Sequence, residues 1–219
     1  MMSDRIVDFV EPVTLLGGGT VAPDLLERTL ARAPRLVAAD GGANMAVAHG
    51  HRPELVIGDY DSVSAATLAQ VPPERQMHIP DQDTTDFEKC LMSLSAPLIL
   101  GLGFTGPRAD HTLAAFGALV RFAHIPCILI GEEDVIFACP EKIALALPGG
   151  LRFSLFPLCE VTGESRGLRW PIDGLTLRPD GRVATSNETT GPVELRLSGP
   201  GLLALLPHAG LEAAIRALG

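Results

Sequence analysis

No run of about 18 consecutive apolar residues occurs in the 219-residue sequence, so no membrane-spanning helix is expected and no membrane partner. The start, MMSDRIVDFVEP, carries acids where a secretory signal would carry a basic and then an apolar stretch, and the expected address is cytoplasmic. Basic residues are scarce. Seventeen Lys and Arg stand against 26 Asp and Glu, a net charge of -9, and only Lys89 and Lys142 are lysines. A chain with that balance repels polyanions, which argues against nucleic acid or an anionic membrane surface and points to a small partner. Cysteine is sparse too. Cys90, Cys127, Cys139 and Cys159 lie far apart in apolar surroundings, form no CxxC pair or disulfide framework, and read as buried thiols. The six histidines lack metal-ligand spacing, so any metal should be held by oxygen. The opening GGGT is not a G-x-G-x-x-G fingerprint, and no G-x-x-x-x-G-K-[ST] occurs, which weakens the nicotinamide-enzyme and P-loop readings.

What is present is a globular composition, 47% hydrophobic and 20% charged, with room for one large domain or two small ones. The acidity is concentrated. Nine acidic residues and three basic ones lie between Asp40 and Lys89, a net of -6 in under a quarter of the chain. The aspartates there punctuate apolar runs instead of lying on polar faces. Strand-like runs at Val13 to Leu16, Arg35 to Ala39, Leu55 to Ile57, Met77 to Ile79 and Pro97 to Leu102 alternate with helical patterns at Ala22 to Ala33, Ser64 to Val71, Asp86 to Leu94 and His111 to Ala123. Such alternation predicts an α/β fold with a mainly parallel, Rossmann-like sheet covered by helices. Beyond about Ile128, short strand patterns separated by turn signals PGG, TGES, PDG and NETTGP predict a small antiparallel β-sandwich, ending in a helix over Leu211 to Leu218. The boundary is placed near Pro148, giving domains 1–147 and 148–219.

Ligands of parallel α/β sheets bind at the carboxyl ends of the strands, which here carry GGGT, DGGAN, GDYDS, PDQDTTDFEK and GFTGPRADH. In extended GDYDS, Asp59 and Asp61 face one way, a spacing suited to a hard divalent cation; alternatively the segment is a loop that caps the following helix. In DQDTTDFEKCL, Thr85 and Glu88 match a capping box, so a helix should start there with Asp86 in its first turn. That leaves Asp81 and Asp83 as like charges with no local basic partner except Lys89, a repulsion that a cation would relieve. Lys89 lies one turn into that helix, placed to reach a phosphate oxygen, and Arg108 is a natural phosphate clamp. Asp40, Gly41, Gly42 and Asn44 offer a carboxylate, bare backbone and an amide. Together these features suit phosphoryl or diphosphoryl transfer, where catalysis is mostly positioning and charge neutralisation.

The ordered set AADGGAN (38–44), GDYDS (58–62), PDQDTTDFEKCL (80–91), GPRADH (106–111), GLRW (167–170) and TSNE (185–188) resembles the thiamine pyrophosphokinase family over most of the chain. The resemblance implies an α/β domain that binds ATP and Mg²⁺, a C-terminal β-sandwich that helps bind thiamine, and a homodimer with active sites between subunits. The implied activity is transfer of a diphosphate from ATP to thiamine. It implies Asp59, Asp61, Asp83 and Asp86 as metal ligands, with Asp59, Asp61, Asp86 and Lys89 catalytic. Asp40, Gly41, Gly42, Asn44, Gln82, Thr85, Arg108 and Asp110 fall on nucleotide contacts, and Trp170, Ser186 and Asn187 on the thiamine pocket. Tyr60 stands where the family usually has Phe, and Phe104 and Pro107 enter a loop that is normally richer in glycine. On the residues alone, Trp170 could instead be a core aromatic of the sandwich, and a pterin-type acceptor is an alternative that GLRW and TSNE disfavour.

Overall fold

The computed structural model describes residues 6–219; the first five residues of the acidic start lie outside them. The chain is mixed α/β and packs as two compact units that divide between Ala118 and Leu119, some thirty residues before the boundary expected near Pro148.

In the first unit the elements are β1 (Val7–Asp8), β2 (Val13–Leu16), α1 (Pro23–Leu30), β3 (Arg35–Ala39), α2 (Gly42–Ala48), β4 (Leu55–Gly58), α3 (Ala65–Leu68), β5 (Gln76–His78), α4 (Asp86–Ser93), β6 (Leu94–Ser95) and β7 (Ile99–Leu102). The division point falls within α5 (Ala109–Arg121). Strands β7, β2, β3, β4 and β5 pair in that order, all parallel, while β1 and β6 make a separate short parallel pair. Every residue of β2, β4 and β7 is buried, as expected of parallel strands covered on both faces. Thr14, a polar exception, is satisfied by donating to the Ala33 carbonyl at 2.6 Å.

Two local departures have clear causes. The helix expected over Ser64 to Val71 is one turn long, because Pro72 and Pro73 cannot continue it; a 3-10 turn over Pro73–Arg75 follows. Conversely, the DG and GG pairs of DGGAN are common in turns, yet Gly42 opens α2. Gly42 is required there by space, since a β-carbon would stand 2.0 Å from the Leu16 carbonyl oxygen, and Ala43 and Ala46 bury the helix against the sheet.

The second unit contains β8 (Cys127–Ile130), β9 (Asp134–Ala138), β10 (Lys142–Leu145), β11 (Arg152–Pro157), β12 (Val161–Leu168), β13 (Thr176–Leu177), β14 (Ala184–Leu197), β15 (Leu202–Pro207) and α6 (Leu211–Leu218). Its pairings are antiparallel, in the order β13, β12, β14, β11, β15, β9, β8, with β10 also on β14. The earlier division follows from β8 and β9, which pair with each other and, through β9, with β15. The TGES and NETTGP signals lie inside β12 and β14. The 14-residue β14 changes partners along its length: residues 184–188 pair with β11, and 193–196 with β10. Gly167 marks a register shift between β12 and β14, its φ of 76° and the Pro192 carbonyl leaving no place for a β-carbon. Cys90, Cys127 and Cys139 are buried as expected, but Cys159 is exposed, because it lies in the bend after β11.

Candidate active site

The acidic residues meet at the carboxyl edge of the parallel sheet. Asp40 closes β3 and is almost fully buried; its Oδ2 accepts the Ser62 N–H at 2.9 Å and its Oδ1 the Val63 N–H at 3.2 Å. Burial raises its pKa, against the pull of those two bonds, and the nearby charge of Asp61 adds to the rise. Asp59 and Asp61 follow β4, and one carboxylate oxygen from each of Asp40, Asp59 and Asp61 lies within 4.8 Å of the others. Three hard oxygen donors so placed fit a divalent cation such as Mg²⁺. Between the two aspartates Tyr60 sits at φ 67°, its ring 5.0 Å from that of His78 and its hydroxyl donating to the Val56 carbonyl. Burial and the Asp40 charge push the Tyr60 phenol up to about 12.

Lys89, like Asp40, is almost fully buried. Its side chain is 2% exposed, and Nζ donates to Asp59 Oδ2 at 3.1 Å and to Asp86 Oδ1 at 3.2 Å. Two of its three N–H donors are thus held by carboxylates. Burial opposes the charge on Lys89, but Asp59 and Asp86 outweigh it and raise its pKa. For Asp59, burial is likewise outweighed, by Lys89 together with the Asp61 N–H and the Gln82 amide, and its pKa falls; Gln82 Nε2 lies 2.9 Å from Asp59 Oδ2. Asp86 goes the other way, raised by burial despite Lys89, with the charges of Asp40 and Asp59 contributing.

Thr85 and Glu88 form the capping box of α4, so Thr85 serves the helix start that aims Asp86 and Lys89 inward. Asp81 accepts the Thr84 hydroxyl at 2.6 Å, and its pKa falls chiefly for that reason. Asp83 is exposed and stands apart from the three-carboxylate group.

Glycines let loops converge on this edge. A β-carbon on Gly17 would meet the Phe104 ring at 2.7 Å, and one on Gly19 the Gly103 carbonyl oxygen at 2.6 Å; the Gly19 N–H donates to that carbonyl at 3.0 Å. The loops after β2 and β7 therefore interlock, with the Phe104 ring also 4.5 Å from that of Phe87 and tilted by 38° to it. Gly41 packs on Ser62, and the Asn44 amide bonds the backbone of Ser62 and Ser64. Gly101, Gly103 and Gly106 spell G-x-G-x-x-G across the end of β7, but Gly101 is still in the strand and α5 begins only at Ala109, so the spacing does not form a strand–turn–helix dinucleotide loop. Arg108 and Asp110, both exposed, pair with each other through two contacts, at 2.6 and 3.3 Å.

In the second unit Trp170 is 55% exposed and so is not a core aromatic. Its ring lies 5.1 Å under the Arg169 guanidinium. Buried Asn187 brackets its backbone, accepting the Trp170 N–H at 3.2 Å and donating to the Trp170 carbonyl at 2.6 Å. Exposed Ser186 sits at φ 58°, held by its N–H on the Ser154 hydroxyl at 3.0 Å.

Comparison with known proteins gives one consistent result. Residues 26–129 match the family model for the thiamin pyrophosphokinase catalytic domain. Thiamine pyrophosphokinase 1 of Oryza sativa subsp. japonica is 28% identical over 200 residues, covering 76% of this chain and 74% of the relative. Thiamin pyrophosphokinase 1 of Caenorhabditis elegans is 27% identical over 207 residues, with 85% and 84% covered. Among solved structures, thiamin pyrophosphokinase from Candida albicans shares the fold at TM-score 0.76, with 15% identity and 93% of each chain covered. That from Geobacillus thermodenitrificans does so at TM-score 0.72, with 23% identity and 89% and 96% covered. The aspartates and Lys89 lie inside the matched segment and the interlocked glycine loops in or beside it, so over residues 26–129 the chain is similar to the thiamin pyrophosphokinase catalytic domain.

Proposed function

We propose that the protein is an ATP-dependent thiamine diphosphokinase: the thiamine hydroxyl oxygen bonds to the β-phosphorus of ATP, the bond from that phosphorus to the α,β-bridging oxygen breaks, the hydroxyl proton is lost, and AMP leaves. The observation that carries this reading is the meeting of Asp40, Asp59 and Asp61 beside Asp86 and Lys89, within the residues matched by the family model.

Asp40, Asp59 and Asp61 would hold Mg²⁺, which, when bound, supplies neutralisation of the triphosphate charge. Lys89 offsets Asp59 and Asp86, so that the carboxylates do not repel one another out of position. The bare backbone of Gly17 to Gly19, Gly41, Gly42 and Gly103 leaves room for phosphate oxygens to approach. Arg108 supplies a guanidinium at the start of α5 once it trades Asp110 for phosphate. Asp83 and Asp110 remain candidate contacts on the exposed rim. Thiamine is a cationic thiazolium joined to an aminopyrimidine, and the open Trp170 face, with Ser186 and Asn187, suits it.

The reading includes a Rossmann-like catalytic domain, a C-terminal β-sandwich that holds the vitamin, a cytoplasmic homodimer and active sites between its subunits. Incubation with ATP, Mg²⁺ and thiamine should yield AMP and thiamine diphosphate in equal amounts. ADP as the product, or no turnover, overturns the reading.

A further inference from the structure

We propose that Asn44 is a positioning residue for the acidic loop, acting through backbone at residues 62 and 64 and not through contact with nucleotide. Three successive N–H groups leave this loop, and all three end on two side chains at the start of α2. Ser62 and Val63 donate to Asp40 at 2.9 and 3.2 Å, and Ser64 donates to Asn44 Oδ1 at 2.9 Å. Asn44 Nδ2 returns a bond to the Ser62 carbonyl at 3.0 Å, so the amide grips the loop on both sides of Val63. The residues so gripped are the anchor of Asp61, whose Oδ1 accepts the Ser62 hydroxyl at 2.7 Å, and Ser64, whose side chain caps α3 through the Thr67 N–H. Gly41 completes the clamp, because a β-carbon there would press on Ser62 Cβ at 3.1 Å.

The sequence assigns Asn44 to the nucleotide, but the donor hydrogen and the acceptor oxygen used here are already committed. An amide used on both faces in this way does for the loop what a neighbouring strand would do, fixing its backbone without adding charge beside three carboxylates. Asp40 has two duties, as cation ligand and as loop anchor, so its variants cannot separate them. Asn44 has one.

The inference rests on the diphosphokinase reading only for its kinetic arm. Mn²⁺ binding to the full-length protein, followed by electron paramagnetic resonance, and amide hydrogen exchange of residues 62–64 need no turnover. Asn44→Ala should weaken Mn²⁺ binding about tenfold or more and speed exchange at Ser62 and Ser64, as expected for loss of a group that orients ligands. It should also lower kcat while leaving the KM for ATP within about twofold. Asn44→Asp keeps the oxygen that receives the Ser64 N–H and loses the donor to Ser62, so it should restore slow exchange at Ser64 alone; it also keeps the test alive should the alanine variant not fold. Unchanged Mn²⁺ affinity and exchange, with a raised nucleotide Kd, overturn the inference. If wild-type protein makes no thiamine diphosphate, the functional reading falls while the Mn²⁺ and exchange results still decide the role of Asn44.

Discussion

Gly58 and Asp40 stand so close that a β-carbon on the glycine would lie 2.7 Å from Asp40 Cβ and 3.2 Å from Asp86 Oδ1. The absence of a side chain at the end of β4 thus lets carboxylates from β3 and α4 meet those of the GDYDS loop. Gly58→Ala should push Asp40 and Asp86 apart. Overpacking of this kind costs about 1–3 kcal/mol of stability, and displacement of catalytic groups by about 1 Å costs about 100-fold in rate. Steady-state kinetics beside a urea unfolding curve tests it: a folded variant with wild-type kcat refutes the role given to this contact.

Lys89 is the buried counter-charge that allows the partly buried Asp59 and Asp86 to lie side by side. Lys89→Met should cost about 1–3 kcal/mol at pH 7, because it strands two carboxylates that are only partly solvated, a pair between the fully buried and the surface case. The pH dependence has a definite sign. In the wild type, Asp59 has a depressed pKa, so its stabilisation is present above the unfolded value of 3.8 and lost as pH falls through the lower folded value. In the variant both carboxylates lose the group that lowered them, and folding then favours their protonated forms. The stability gap between the two proteins should be wide at pH 7 and narrow towards pH 4. Denaturant midpoints at the two pH values measure it, and a gap that does not change with pH counts against the pairing.

The five strands of the main parallel sheet, β2, β3, β4, β5 and β7, were readable in the sequence because a buried parallel sheet writes continuous apolar runs, as Val13–Leu16 and Leu55–Gly58 do, whereas the two-residue β1 and β6 were not. The capping box at Thr85 and Glu88 was readable because capping is local chemistry. What was hidden depends on partners distant in sequence. Helix α2 begins at glycines that read as a turn, yet Gly42 is demanded by the Leu16 carbonyl 26 residues earlier. TGES reads as a turn but lies in β12, whose Gly163 fits under the Arg196 carbonyl of β14. The acids could be picked out as a group, but that Lys89 would be spent on Asp59 and Asp86, and that Asn44 would hold backbone, follows from tertiary geometry that spacing does not encode.

Asn187 and Trp170 supply a prediction in the second unit. The buried amide makes two hydrogen bonds to the Trp170 backbone, so Asn187→Ala should cost about 1–3 kcal/mol through unsatisfied polar groups. Trp170→Ala removes a ring that is largely in solvent and should leave stability nearly unchanged. Under the proposed function both variants raise the KM for thiamine about tenfold, while the KM for ATP holds, and Trp170→Phe recovers most of the loss by restoring an aromatic face. A thiamine KM unaffected by Trp170→Ala would remove the ring from the binding site.

The four thiols should divide three to one in reactivity. Cys90, Cys127 and Cys139 are buried, and burial pushes each thiol up, Cys139 to about 12, which suppresses the thiolate that reacts. Cys159 is exposed in the bend after β11, with its Sγ 3.5 Å from the Pro200 carbonyl. Titration of native protein with an aromatic disulfide reagent at pH 8 should release one equivalent quickly and three more only on adding denaturant. The fast equivalent should vanish in Cys159→Ser without change in turnover, since that position lies outside the residues assigned to either substrate. More than one fast equivalent in native protein would mean that a strand bearing one of the buried cysteines opens to solvent on the time scale of the titration.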